Sequence, residues 1–293
     1  MINTQHLIRV GAQSVLTIGV AALALTSCGK RDDGDTSTID VNGSDTMLQV
    51  GLAWAEAYQV KHPEVLINVN GEGTGTGVTA MINGTTDFAQ ASRPFKDKEI
   101  ADIVAKRGVA PMEHVVGFDG IAVYVHPSNP VKSLSIPQLK EIWAEGGSVD
   151  NWNQVGGPNL PIERFGRSNS SGTYGFFQSA VCGKGVEYKP GTGAQPGSTA
   201  VVHLCESTSA GIGYSGMGYK NDKVGWLAVS KTDGGKAYEP SNESVASGNY
   251  PIARNLYIYT LGEPTGAVME YMDWIKGPEG QKILSDEDFV PLK

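Results

Sequence analysis

Short runs of β-branched and aromatic residues recur along this chain. Each is followed by a turn of glycine and small hydroxyl residues and then by a stretch with helical spacing. Residues 37–42 alternate as a strand does, Gly43-Ser44-Asp45-Thr46 follows, and from Met47 the residues Leu48, Leu52 and Ala55 step around one helical face until Pro63 stops them. The order repeats with a strand at 65–70, a glycine-alternating loop at 71–77, a helix from 78, a buried strand at 88–91 and a charged helix at 97–107. This alternation predicts an α/β fold with mostly parallel sheets flanked by helices. A second unit begins near residue 127, with helices expected at 136–144, 172–181 and 197–208 and strands at 161–166 and 211–215. Two helices broken at Gly277-Pro278 are expected at the C-terminus. A chain that leaves one unit and later returns needs two crossing strands, and the runs GIAVYV (from Gly120) and RNLYIYT (from Arg254) are the candidates.

Composition narrows the function. The chain has 293 residues, 40% of them hydrophobic and 18% charged, enough apolar material for a large core. Its formal charge of −8 argues against a nucleic-acid partner, which calls for a basic face. The glycines of 71–77 are spaced G-x-G-x-G, which is not the dinucleotide fingerprint, and no P-loop or zinc spacing occurs, so neither cofactor nor metal is expected. His62, His114, His126 and His203 are well separated and read as structural.

The first 27 residues read as an export signal. Arg9 is their only charged side chain, an apolar run spans 15–25, and Leu25-Thr26-Ser27-Cys28 resembles a bacterial lipobox. The expectation is a signal peptide over 1–27, acylation of Cys28, and a polar tether over 28–38 that holds the protein on a membrane without spanning it. That places it in the periplasm or on the cell surface. Cys182 and Cys205 then form an even pair in an oxidising compartment, where a disulfide and two buried thiols are both open readings.

Chemistry concentrates at three strand-to-helix turns: Gly43-Ser44-Asp45-Thr46, Ala91-Ser92-Arg93-Pro94, and Arg167-Ser168-Asn169-Ser170-Ser171-Gly172-Thr173. Hydroxyls beside the free N–H groups of a helix start offer many donors, the chemistry that suits a desolvated tetrahedral oxyanion. Arg167 adds a guanidinium able to grip two oxygens at once. Asp119, just before the first crossing run, would repel a fully ionised anion but accept a hydrogen bond from one that keeps a proton. Phosphate keeps one near neutral pH and sulfate does not. Each turn taken alone is better read as simple helix capping; it is the three together, one of them carrying an arginine, that point to an anion site.

The segments VNGSDTM, GEGTGTGVTAMINGTTDFAQASRP, FDGIAVYVHPSNPVKSL, GRSNSSGTYGFF, GIGYSGMGY, YPIARNLYIYT and GEPTGAVMEYMDWI, in this order, resemble the PstS-type phosphate-binding proteins of bacterial ABC transporters. The resemblance runs from about residue 38 to the C-terminus. It implies the two-lobed type II periplasmic-binding-protein fold, with one lobe at 39–122 plus 257–293 and the other at 123–256. It implies a monomer that captures inorganic phosphate and delivers it to permease subunits, without covalent chemistry. Carried over motif by motif, it makes Ser44, Thr46, Ser92, Asp119, Arg167, Ser171, Gly172 and Thr173 the phosphate-binding residues. Two departures stand out. Asp45 occupies a position where relatives often carry a hydroxyl, and Asn169 stands two residues after the arginine, where some relatives carry an acid paired with it. The second is expected to leave Arg167 less neutralised and the site more tolerant of a dianion. Two rival readings are binding of another oxyanion such as sulfate and a phosphomonoester hydrolase using Ser171.

Overall fold

The computed structural model describes residues 36–293. The signal peptide, Cys28 and all but the end of the tether lie outside the described residues. The first half of the fold is built from β1 (Ser37–Gly43), α1 (Leu48–Lys61), β2 (Val65–Gly71), α2 (Thr74–Asn83), β3 (Phe88–Ala91), α3 (Asp97–Arg107) and the start of the 15-residue strand β4 (Pro111–Val125). The second half holds β5 (Ser133–Ser135), α4 (Ile136–Trp143), β6 (Glu163–Arg167), α5 (Gly172–Phe177), β7 (Gly193–Gln195), α6 (Ser198–Ser207), β8 (Gly211–Gly216), β9 (Gly225–Ser230), β10 (Ala237–Tyr238) and α7 (Asn242–Ala246). The chain returns through β11 (Ala253–Leu261) and ends in α8 (Gly266–Lys276) and α9 (Pro278–Asp286).

The strands run in the order β2-β1-β3-β11-β4-β8-β6-β7, with β9 on the other side of β4 and pairing β5 and β10. β1 is parallel to β2 and β3, and β6 is parallel to β7 and β8, as the strand–helix alternation predicts. The two crossing strands add antiparallel pairs: β11 to β3 and β4, and β4 to β8 and β9. The sheet is therefore mixed where the halves join. β4 serves both, through residues 111–120 against β11 and 121–125 against β8. The sequence run from Gly120 is only its second half; the preceding segment, interrupted by Glu113, His114 and Asp119, does not read as strand.

The core divides accordingly. Ile39, Trp54, Phe88, Leu256, Tyr271 and Leu284 pack one face of the first sheet, and Val78, Phe95, Ile103 and Tyr259 pack the other. Ile121, Trp143, Trp152, Phe177, Tyr214 and Leu227 fill the second half, with the Phe177 and Tyr214 rings stacked 3.9 Å apart. Trp54, Trp143 and Trp152 are fully buried core residues, whereas Trp226 is only partly covered and carries the Lys220 ammonium over its ring. Cys182 and Cys205 belong to the same core as free thiols, which decides the open reading against a disulfide. Cys205 faces Gly213 of β8 from α6, and burial pushes both thiols up, Cys182 to about 12.

Local signals set the element ends. The Ser135 hydroxyl accepts from the Gln138 amide while the Gln138 side chain accepts from the Ser135 amide, a capping box that opens α4. Pro278 at the first turn of α9 cannot continue α8 but suits a new start. Helix α2 begins at Thr74, inside the glycine-rich stretch expected to be loop, and the expected helix at 172–181 ends at Phe177 and passes into a π-helical turn over Gln178–Cys182.

Candidate functional site

The turn after β1 is forced by Gly43. Its φ of +137° is one that side chains resist, and a Cβ there would lie 2.1 Å from the Gln90 carbonyl oxygen. With Gly43 in place, the Ser44 amide donates to that carbonyl at 2.8 Å, so the first turn lies directly on the end of β3. The Ser44 hydroxyl then donates to Ser92 Oγ at 2.9 Å. From the glycine-rich stretch, Thr74 Oγ1 accepts from the Ser92 amide at 3.1 Å. The third turn closes over these from the other half. The Gly75 amide donates to the Ser170 carbonyl at 2.9 Å, and the Thr46 and Thr173 hydroxyls lie 2.8 Å apart. Gly172 fits only because it lacks a side chain: a Cβ would sit 2.3 Å from Thr74 Oγ1 and 2.4 Å from Ser92 Oγ. The Ser171 hydroxyl accepts from the Thr173 and Tyr174 amides and so caps α5.

Ser44, Thr46, Ser92, Asp119, Arg167, Ser171 and Thr173 are all buried, and Gly172 with them. At their centre stands a residue that sequence reading did not select. Arg254 on β11 is the cross-strand partner of Asp119 on β4. Its Nε and Nη2 donate to Asp119 Oδ2 at 3.1 and 2.8 Å, and its Nη1 donates to the Ser92 carbonyl at 2.8 Å. Nη2 also donates to Thr46 Oγ1 at 3.2 Å and to Thr173 Oγ1 at 3.0 Å, so one guanidinium joins all three turns to the acid. Burial pushes the Asp119 carboxyl above its ordinary value, opposed by Arg254 and by the nearby Met217 amide. Burial likewise lowers Arg254, with Arg167 acting in the same direction and Asp119 against it. Asp119 Oδ1 is buried without a hydrogen-bond partner of normal geometry. A buried, basic oxygen of this kind is an acceptor for a proton brought by a ligand.

Arg167 sits at the edge of the same cluster, its side chain fully buried. Its Nη1 donates to Ser198 Oγ at 2.9 Å and its Nη2 to Asp45 Oδ2 at 2.8 Å. This corrects the expectation of a poorly neutralised arginine. Asn169 is exposed, and the counter-charge comes instead from Asp45 in the first turn, across the interface between the halves. Tyr219 holds that turn in place, donating to the Asp45 carbonyl at 2.8 Å.

Thr74, Ser198, Tyr219 and Arg254 were thus missed. For Arg254 a signal existed: a lone arginine at the head of an aromatic strand run has no water to turn to once the strand is buried, so it needs an acid or an anion. Thr74, Ser198 and Tyr219 carry hydroxyls of kinds that recur throughout the chain, with nothing local to mark them.

A PBP superfamily domain matches residues 30–279. The chain is 31% identical over 297 aligned positions to the phosphate-binding protein PstS of Pseudomonas aeruginosa, covering 97% of this chain and 91% of that one. Against PstS of Bacillus subtilis the identity is also 31%, covering 90% of this chain and 83% of the relative. Among solved structures, a putative phosphate ABC transporter substrate-binding protein with bound phosphate from Clostridium perfringens superposes with a TM-score of 0.78. It is 30% identical, and the match spans 88% of this chain and all of that one.

Proposed function

The chain belongs to the PBP superfamily and within it to the PstS phosphate-binding proteins, and from that premise we propose that it captures inorganic phosphate between its two halves and delivers it to the permease of an ABC transporter. One observation carries the reading beyond the family. Hydroxyls from both halves converge on a buried guanidinium–carboxylate pair whose acid keeps one oxygen without a partner.

The roles follow from the chemistry of the groups. Ser44, Thr46, Ser92 and Thr173, with the amides of Thr46 and Gly172, donate to the oxygens of the anion, and Arg254 and Arg167 supply positive charge. Ser171 holds the start of α5, which orients Gly172 and Thr173. Asp119 Oδ1 accepts the proton that phosphate carries, and sulfate, which brings none, meets a repulsive contact there. The lobes are 39–122 plus 257–293 and 123–256, hinged at β4 and β11, and ligand favours the closed form. The geometry favours binding over ester hydrolysis: among the described residues Ser171 engages only backbone amides as a cap, and no histidine is hydrogen-bonded to the cluster.

Cys28 anchors the protein through attached acyl chains, on the outer side of a membrane. Among the described residues no helix is long and apolar enough to cross one. Cys28→Ser abolishes incorporation of labelled fatty acid and releases the protein from the membrane fraction; retention of the label overturns the anchor.

Isothermal titration tests the central reading. The wild-type protein binds inorganic phosphate and ignores sulfate, whereas in Asp119→Asn sulfate competes. If sulfate is still rejected by the variant, Asp119 is not the filter; if the wild type does not bind phosphate, the reading itself is wrong.

A further inference from the structure

Two guanidinium groups and two carboxylates meet in this site. Arg254 is paired to Asp119 within the crossing strands, and Arg167 is paired to Asp45 across the interface between the halves. The second pair is tightly made. Asp45 Oδ2 accepts from Arg167 Nη2 at 2.8 Å, from the Ser198 amide at 2.9 Å and from the Ser198 hydroxyl at 2.8 Å. Each Nη of Arg167 thus gives one of its N–H groups to the Asp45–Ser198 side, and its Nε is buried without a partner. The four charges sum to zero.

A neutral cluster of this kind holds an anion by directed hydrogen bonds rather than by net charge. Each added negative charge on the ligand then raises the cost of desolvation with no further cation to offset it. We propose that Asp45 is a specificity-determining residue for ligand charge: by neutralising Arg167 from the opposite half, it biases the site toward the singly charged, doubly protonated form of phosphate and against the doubly charged form. The proposal deepens the phosphate-capture reading and rests on it. Asp45 acts through Arg167 and need not touch the ligand.

The groups that face Asp45 are Arg167 from β6, Ser198 from α6 and the Tyr219 hydroxyl that donates to its carbonyl. Burial, helped by Asp45, pushes the Tyr219 phenol up, so it stays neutral through the physiological range. Beyond Thr46 lie Arg254 and Asp119, and behind Arg167 the Tyr214 phenol, also pushed up by burial. These groups are common to the wild type and to Asp45 variants, so a difference between the two in pH response reports the Asp45 charge.

Losing the Asp45 contact also loosens the two halves for every anion alike, so overall affinity is a poor readout and the pH profile is the useful one. Inorganic phosphate is titrated into the full-length protein at about pH 5.5 and about pH 8.5, on either side of its second ionisation. In the wild type, affinity falls from the lower to the higher pH. In Asp45→Asn the ratio of the two affinities moves toward the dianion by about tenfold, the scale of one uncompensated charge a few Å away. Asp45→Ser, which replaces the carboxylate by a neutral hydroxyl, gives the same shift. The same pH ratio in wild type and both variants overturns the proposal. Failure of both folded variants to bind at either pH makes Asp45 structural and overturns it too. Absence of binding by the wild type removes the phosphate reading and this proposal together.

Discussion

Arg254 and Asp119 stand opposite each other on the two strands that cross between the halves, joined by two hydrogen bonds of 3.1 and 2.8 Å and both shielded from water. The site's charge is thereby placed on the two strands that join the halves. A buried pair of this kind contributes little net stability against an apolar pair, yet breaking it from one side leaves a stranded charge.

Arg254→Met is expected to cost about 3–5 kcal/mol of folding stability, because Asp119 remains buried with no cation. The double variant Arg254→Met/Asp119→Asn recovers most of that loss. Urea unfolding in phosphate-free buffer measures both; a double variant no more stable than the single would show that the pair is not coupled.

Gly172→Ala introduces a methyl group into the space held by the Thr74 and Ser92 hydroxyls. Overpacking at a tight contact costs about 1–3 kcal/mol, and here it displaces the donors themselves. Phosphate affinity falls about tenfold or more by titration calorimetry; unchanged affinity would remove Gly172 from the site.

The second turn carries a pH-sensitive prop. Arg93 donates to both oxygens of Glu99 at 2.8 and 2.7 Å, and the Lys96 amide donates to Glu99 as well. Burial alone would raise the Glu99 carboxyl, but these partners outweigh it and hold it below its ordinary value of 4.5. A depressed acid adds stability above its unfolded-state pKa and loses it as the pH falls through its folded-state value. Glu99→Gln is therefore less stable than wild type near neutrality by about 1 kcal/mol, and the gap narrows steadily below about pH 4.5. Thermal midpoints across that range measure it; a gap independent of pH would assign the loss to packing.

Cys182 and Cys205 are expected to resist thiol reagents in the native protein and to react once it is unfolded, because burial disfavours the thiolate. Reducing agent leaves the thermal midpoint unchanged. A fall of the midpoint on reduction would reveal a disulfide.

Much of the fold was legible from local pattern. Strand periodicity, glycine turns and the break at Gly277-Pro278 mark most elements, since each depends on residues a few positions apart. The three hydroxyl turns were visible for the same reason: small donors before a helix start are a short-range signal. The glycine-rich stretch misled about the start of α2, because glycine lowers helix propensity while contact with Ser170 and β3 holds the helix in place.

What the sequence determined by itself was the set of chemical groups and their order: hydroxyl turns, one acid beside an apolar strand run, and arginines at strand ends. What only the tertiary structure decided was which charge meets which. Asp119 and Arg254 are 135 residues apart, and Asp45 and Arg167 are 122 apart. Their pairing follows from the antiparallel register of β4 with β11 and from the docking of one half on the other. Electrostatic attraction in a buried site acts over a few Å and takes no account of separation along the chain, so it is the register and the docking that select the partners.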